Sequence, residues 1–260
     1  HHDYGRGGRG WRDLWQDCLA LLLMDSADVH QLLWNNFAGV RMDGSNATII
    51  GTKPGEFMAD RNNISRIWSD HGAWPLLTTG LYLDLTGDLD FLLEEQCYFK
   101  DHLTHRSQAV DEEWSTSAGY VQKDINGRVY RGTILEHLLL QNVTIFFNVG
   151  DHNNIRLEDA DWNDALDMAG EKGETVAFTS FYAGNLVELA RLLQALQGGK
   201  KLETIELAAE MLILFDSISG GRLDYDSVEE KRALLKRYFD ACRHTVSGVK
   251  VKVKIENLLA

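Results

Sequence analysis

The run "ILEHLLLQNVTIFFNVG", residues 134–150, restricts this chain more than any other stretch. It reads as more than four helical turns whose ionisable or long polar side chains are Glu136, His137 and Gln141 alone. A helix of that composition offers water no face, so it needs apolar neighbours on every side. "LWQDCLALLLM" (residues 14–24) is similar. Its polar positions, Asp13 just ahead of it and then Gln16 and Asp17, fall at i, i+3 and i+4, on one face of the first turn. Helices buried on both sides predict an all-α architecture, like the inner ring of a double-layered helical barrel.

Helical periodicity covers most of the remaining sequence and predicts helices near residues 13–24, 27–38, 63–86, 90–103, 132–149, 177–197, 202–217 and 226–246. Only Pro54 and Pro75 interrupt it. Two long irregular segments, "RMDGSNATIIGTKPGEFMADRN" and "RLEDADWNDALDMAGEKGETVA", would then rim one mouth of the barrel. Asn126-Gly127 marks a small hairpin. The tail "VSGVKVKVKIENLL" alternates as a strand does. No linker composition divides the chain, so residues 1–260 read as one partial domain.

A net charge of −13 argues against nucleic acid or an anionic membrane as partner, since both call for clustered Lys and Arg. It leaves room for a small anion, because screening over about 8 Å lets a local arginine cluster set its own potential. No apolar run is long enough for a bilayer, and no signal peptide is recognisable. Cys18, Cys97 and Cys242 lie far apart in apolar helical context, as buried thiols of a reducing, cytoplasmic compartment do.

Chemistry concentrates in three places. In "GRGGRGWRDLWQD" the side chains of Arg6, Arg9, Arg12, Asp13, Gln16 and Asp17 surround tryptophans, and this is the composition of a sugar site rather than of a bare helix start with Asp13 at its N-terminal dipole: bidentate polar partners for hydroxyls, flat faces for ring C–H groups. The glycine string follows no strand and is not a dinucleotide fingerprint. "LEDADWNDALDMA" is dense in carboxylates. A calcium loop starting at Asp159 would need Gly and Glu where Asp164 and Gly170 stand, so no metal is expected. Two readings of it stay open: a helix start capped by Asp161, or a carboxylic acid beside Trp162, desolvated and used as a general acid. In "WSDHGAWP", Asp70 and His71 sit between Trp68 and Trp74, either as core residues or as sugar contacts.

Together these segments resemble the catalytic domain of glycoside hydrolase family 94, the inverting β-glycoside phosphorylases. "GRGGRGWRDLWQD" is similar to the family's Arg-Asp…Gln-Asp segment and "ADWNDALDMA" to its Asp-Trp-Asn-Asp loop. "GSNATIIG" and the segments 56–88 and 131–186 extend the likeness over roughly residues 4–190. The resemblance implies an (α/α)6 barrel, here incomplete at its C-terminal side, with the phosphate-binding residues further along than residue 260. It implies Asp164 as general acid, Trp162 flanking the sugar, and Arg12 and Asp13 holding the non-reducing glucosyl unit. It also implies a homodimer that uses a β-glucoside and inorganic phosphate, with no cofactor. "WRDLWQD" is nearer to laminaribiose-type members than to the Phe-Arg-Asp-Ser wording of cellobiose phosphorylases. Two other functions fit the same composition: a hydrolase using Asp13, Asp17 or Asp70 as base, and a non-catalytic carbohydrate module of a glucan synthase.

Overall fold

The computed structural model describes residues 9–51, 53–58, 66–159, 166 and 169–260. Its centre is the helix that the sequence singles out. That helix, Ile134–Phe147, begins at Thr133, whose hydroxyl accepts a hydrogen bond from the Glu136 amide at 3.1 Å. Every residue of it except Phe146 is buried. Among the described residues three α-helices precede it, α1 (Trp11–Met24), α2 (Val29–Phe37) and α3 (Ala73–Thr86), and three follow it, α5 (Val176–Gly199), α6 (Val228–Ala241) and α7 (Ile255–Leu259), so the central helix is α4. α2, α3, α5 and α6 all pack directly on α4, and α1 packs on α2 and α3.

The all-α barrel expected from the sequence does not form. Among the described residues the helices share the chain with four two-stranded antiparallel sheets, a mixed architecture. β1 (Ile49–Ile50) pairs with β2 (Phe57–Met58), and β4 (Leu103–Thr104) pairs with β5 (Ala109–Val110). β3 (Glu95–Cys97) pairs with β6 (Arg131–Thr133), which leads straight into α4. β7 (Thr204–Ala208) pairs with β8 (Lys250–Lys254), setting Ile205 opposite Val253 and Leu207 opposite Val251.

Each departure has a local reason. Residues 202–217 carry enough leucine for a helix, but Ile205 and Leu207 point inward while Glu206 faces water. The alternating tail supplies a matching strand, and pairing wins over helical propensity. Residues 90–103 shorten to a single 3-10 turn, Leu89–Leu93, because the segment after it is drawn into β3. The expected helix 63–86 starts only at Ala73. Pro75 has no amide to donate and fits a first turn, whereas a helix running through it from upstream would lose a bond and clash. α1 is not buried all round either. Trp11, Leu14, Trp15, Cys18 and Leu22 face inward, while Asp13, Gln16, Leu23 and Met24 are exposed. None of the described helices is long and apolar enough to cross a membrane.

A helix sunk this deeply must satisfy its polar residues inside the protein. The Glu136 carboxylate accepts from the Tyr98 hydroxyl at 2.7 Å, from the Tyr130 hydroxyl at 3.1 Å and from the Ala208 amide at 2.8 Å. One side chain thereby ties α4 to β7 and to the segments flanking β3 and β6. Gly132 packs against that carboxylate so closely that any Cβ would collide with it. His137 stacks flat on Tyr98, with ring centroids 3.8 Å apart, and its Nδ1 donates to the Thr133 carbonyl at 2.8 Å. Asn142 donates to the Leu138 carbonyl and accepts from the Asn185 amide.

Burial pushes the Glu136 carboxyl up to about 7, even against the hydrogen bonds that favour its charge. Between its ordinary value of 4.5 and that value, the folded protein holds a proton that the unfolded chain has released. This group's contribution to stability therefore falls as pH rises through the window. His137 is displaced the other way, down to about 4 by burial, so its contribution falls as pH drops from 6.5 to 4. Glu136→Gln removes only the first dependence. In urea unfolding at pH 5 and pH 8, the stability advantage of the natural protein over Glu136→Gln should shrink at the higher pH.

Candidate functional site

The N-terminus of α1 is anchored by one indole. The Trp11 amide donates to the Thr48 carbonyl at 2.9 Å, and its Nε1 donates to the His71 carbonyl at 2.9 Å. This draws residues 68–72 against the first turn of α1, directly beside Arg12. The segment is held from the other side by Tyr182 of α5, whose hydroxyl donates to the Ser69 carbonyl at 2.7 Å. A Cβ at Gly72 would stand 2.9 Å from that same hydroxyl, so the backbone approaches too closely for a side chain.

Arg12, Asp70, His71 and the two flanking tryptophans meet here. The Arg12 Nε donates to Asp70 Oδ2 at 2.6 Å, and the Trp74 Nε1 donates to the same oxygen at 2.8 Å. The other Asp70 oxygen, Oδ1, is buried with no hydrogen-bond partner among the described residues. Burial alone would raise this carboxyl. His71 beside it and the hydrogen bonds from Arg12 and Trp74 overcome burial and hold it below its ordinary value. The Arg12 guanidinium lies 4.8 Å from the centre of the Trp68 ring, a cation–π contact. The His71 ring lies 4.9 Å from the same indole. His71 is fully enclosed, and burial brings it down to about 4, so it is neutral near pH 7. Its Nδ1 accepts from the Asn46 amide at 3.2 Å, which leaves the proton on Nε2.

The other sequence-predicted residues are placed differently. Asp13 is exposed at the third position of α1, where its charge suits the helix N-terminus, and Gln16 is exposed one turn on. Asp17 is paired with Arg9, whose Nε reaches it at 2.6 Å, and it does not join Asp70. Asp164 and Trp162, and Asp161 with them, lie outside the described residues. No group of three or more His, Cys, Asp or Glu is placed to hold a metal ion among the described residues.

Sequence reasoning missed a buried ion pair behind the cluster. Arg106 forks onto Glu158 with bonds of 2.6 and 2.8 Å, and the Glu158 carboxylate also accepts from the Asn148 amide at 2.8 Å. The Arg106 amide donates to Asp43 at 2.7 Å. Arg106 is the middle of three successive non-glycine residues in the left-handed region, with φ of 57°, 52° and 63° at His105, Arg106 and Ser107. Glu158 is left-handed as well, at 58°. It bridges to Trp68, and the next residue, Asp159, bonds Ile67 through both its amide and its carboxylate. The pair thus fixes the backbone under Trp68. Its partners are 52 residues apart, and no local pattern in "THRSQ" announces them.

Neither a family model nor a curated protein matches this chain.

Removing one member of a buried, hydrogen-bonded ion pair leaves a bare charge and costs about 3–5 kcal/mol. Arg106→Ala should destabilise the protein by that amount in chemical denaturation. Arg106→Met combined with Glu158→Leu should recover more than half of the loss, since no uncompensated charge then remains.

Proposed function

We propose that this chain belongs to an inverting β-glycoside phosphorylase of the family 94 type, and that Arg12, Asp70 and Trp68 form part of its sugar subsite. The observation that carries the reading is the divided carboxylate of Asp70. One oxygen is committed to Arg12 and Trp74, and the other is unpartnered among the described residues beside an indole already stacked on a cation. A buried acceptor without a donor calls for an explanation, and a sugar hydroxyl supplies one. The reading rests on these residues and on the motifs around them, not on the overall architecture, which departs from a helical barrel.

In this reading Asp164 is the general acid. It gives its proton to the glycosidic oxygen as the bond from that oxygen to the anomeric carbon breaks, and a phosphate oxygen forms the new bond from the opposite face. The products are α-glucose 1-phosphate and a shortened acceptor. A hydrolase would need a second carboxylate to activate water, about 6.5–9.5 Å from the acid. Phosphate is already an anionic nucleophile and needs none. The bonding of Asp159 to Ile67, next to Trp68, supports a link between the carboxylate-rich loop and the sugar subsite. A laminaribiose-type acceptor, homodimeric assembly and a cytoplasmic setting belong to the same proposal. Cys18, Cys97 and Cys242 are all free thiols, in keeping with that setting.

Assayed in the full-length protein with a β-linked glucosyl disaccharide, glucose 1-phosphate release should require inorganic phosphate and vanish in Asp164→Asn. Glucose release without phosphate would instead favour the hydrolase. Sugar binding without turnover would favour the carbohydrate module. Arg12→Ala and Asp70→Asn should each weaken sugar binding or transition-state stabilisation by roughly 1–3 kcal/mol. Unchanged kinetics in both variants would remove this cluster from the site.

A further inference from the structure

On the far side of the Arg106–Glu158 pair, a cleft of about 490 Å³ opens between α6, the turn at His105 and the segment after α4. Its size falls within the range of small-molecule sites. In a chain of net charge −13, its lining is an exception: Arg156, Arg232, Lys236 and Arg243 stand against one carboxylate, Asp240. Arg156 and Arg232 also wall a second, smaller cleft that adds Lys172 together with Asp151 and Glu171, so the larger cationic surplus lies in the first.

The cations are positioned, yet most of their donors are uncommitted. Arg232 uses its Nε on the Val149 carbonyl and one terminal nitrogen on Asp151, and Arg243 uses one terminal nitrogen on the Val110 carbonyl. Lys236 bonds Asp240 at 2.6 Å, but both ends are about half exposed or more, and an exposed i,i+4 pair of that kind yields easily to a better partner. His105 holds Asp240 from the other side at 3.0 Å. Along α6, Arg232, Lys236 and Asp240 form one row and Leu235 and Phe239 the row beside it, so charge lies next to an apolar floor. Phe147 and Val149 complete the floor, and the His105 ring meets Phe239 edge-on at 5.2 Å.

We infer that this cleft binds a sugar phosphate, at a site separate from the Arg12–Asp70 cluster. The cations take the phosphate, since guanidinium groups match its oxygens with paired donors. The apolar floor takes the C–H face of a ring. Asp240 decides the class. A carboxylate repels a bare anion but accepts hydrogen bonds from hydroxyls, and Gln108 in the same lining both donates and accepts, so the ligand carries hydroxyls as well as phosphate. The inference does not depend on the phosphorylase reading.

Calorimetric titration of the intact protein with glucose 6-phosphate, which that reading makes neither substrate nor product, tests it. Binding tighter than about 1 mM is expected, weakening with added salt. It should fall at least tenfold in Arg232→Gln/Lys236→Gln and in Arg156→Gln, and stay unchanged in Arg12→Ala. Lys236→Gln alone alters only an exposed side chain, so it preserves the fold and should still weaken binding measurably. No binding, or binding that survives the cleft substitutions, overturns the site. Binding lost only in Arg12→Ala assigns the ligand to the other cluster and overturns it equally. Inorganic phosphate or glucose binding as tightly as glucose 6-phosphate overturns the sugar-phosphate assignment. If phosphorolysis fails in the full-length protein while this titration succeeds, only the phosphorylase reading falls.

Discussion

The rest of the molecule follows from burying α4 on every side. Its apolar residues obtain the cover that their composition demands, and its polar residues must then be answered by protein rather than by water. Glu136 shows the consequence most fully. It stands at the position from which a glutamate reaches back to cap its own helix, yet its carboxylate goes to two tyrosines and a distant strand amide. A side chain that ordinarily serves one helix end here joins three segments of the chain. Two of the four small sheets meet at that junction, with β3 and β6 at the entry of α4 and β7 closing over the carboxylate.

Much of the helical content was legible because it is written locally. α1, α2, α4, α5 and α6 are found where periodicity puts them, and α4 is as enclosed as its composition requires. The Asn126-Gly127 turn and the strand in the tail were also legible, the former through a bridge between Lys123 and Val129. The barrel was not, because that inference treated every leucine-rich run as helix. "ETIELAAEML" satisfies either period, and the choice was made by the distant partner strand Lys250–Lys254. Only the assembled chain presents that partner.

The candidate site divides along the same line. Arg12, Asp70 and His71 carried a signal in their own neighbourhood, with aromatic residues on either side, and they do meet. Asp17 carried the same signal, but it is claimed by Arg9, a competitor eight residues away. Arg106 and Glu158 carried none. Their meaning is entirely relational, since a buried charge is legible only once its counter-charge is in view.

The left-handed turn at His105–Ser107 bears on the order in which the chain assembles. Each non-glycine residue held there costs about 1–3 kcal/mol, more in sum than a single backbone bond across the turn, such as that from the Gln108 amide to the His105 carbonyl at 3.2 Å, returns. The compensation comes from Asp43 on one side and Glu158 on the other, both more than fifty residues away. The turn is therefore unfavourable at every stage before those partners arrive, and it condenses late. His105 lines the cleft, and Arg106 holds Glu158, which bridges to Trp68, so the cleft and the backbone beside the Arg12–Asp70 cluster both depend on this turn.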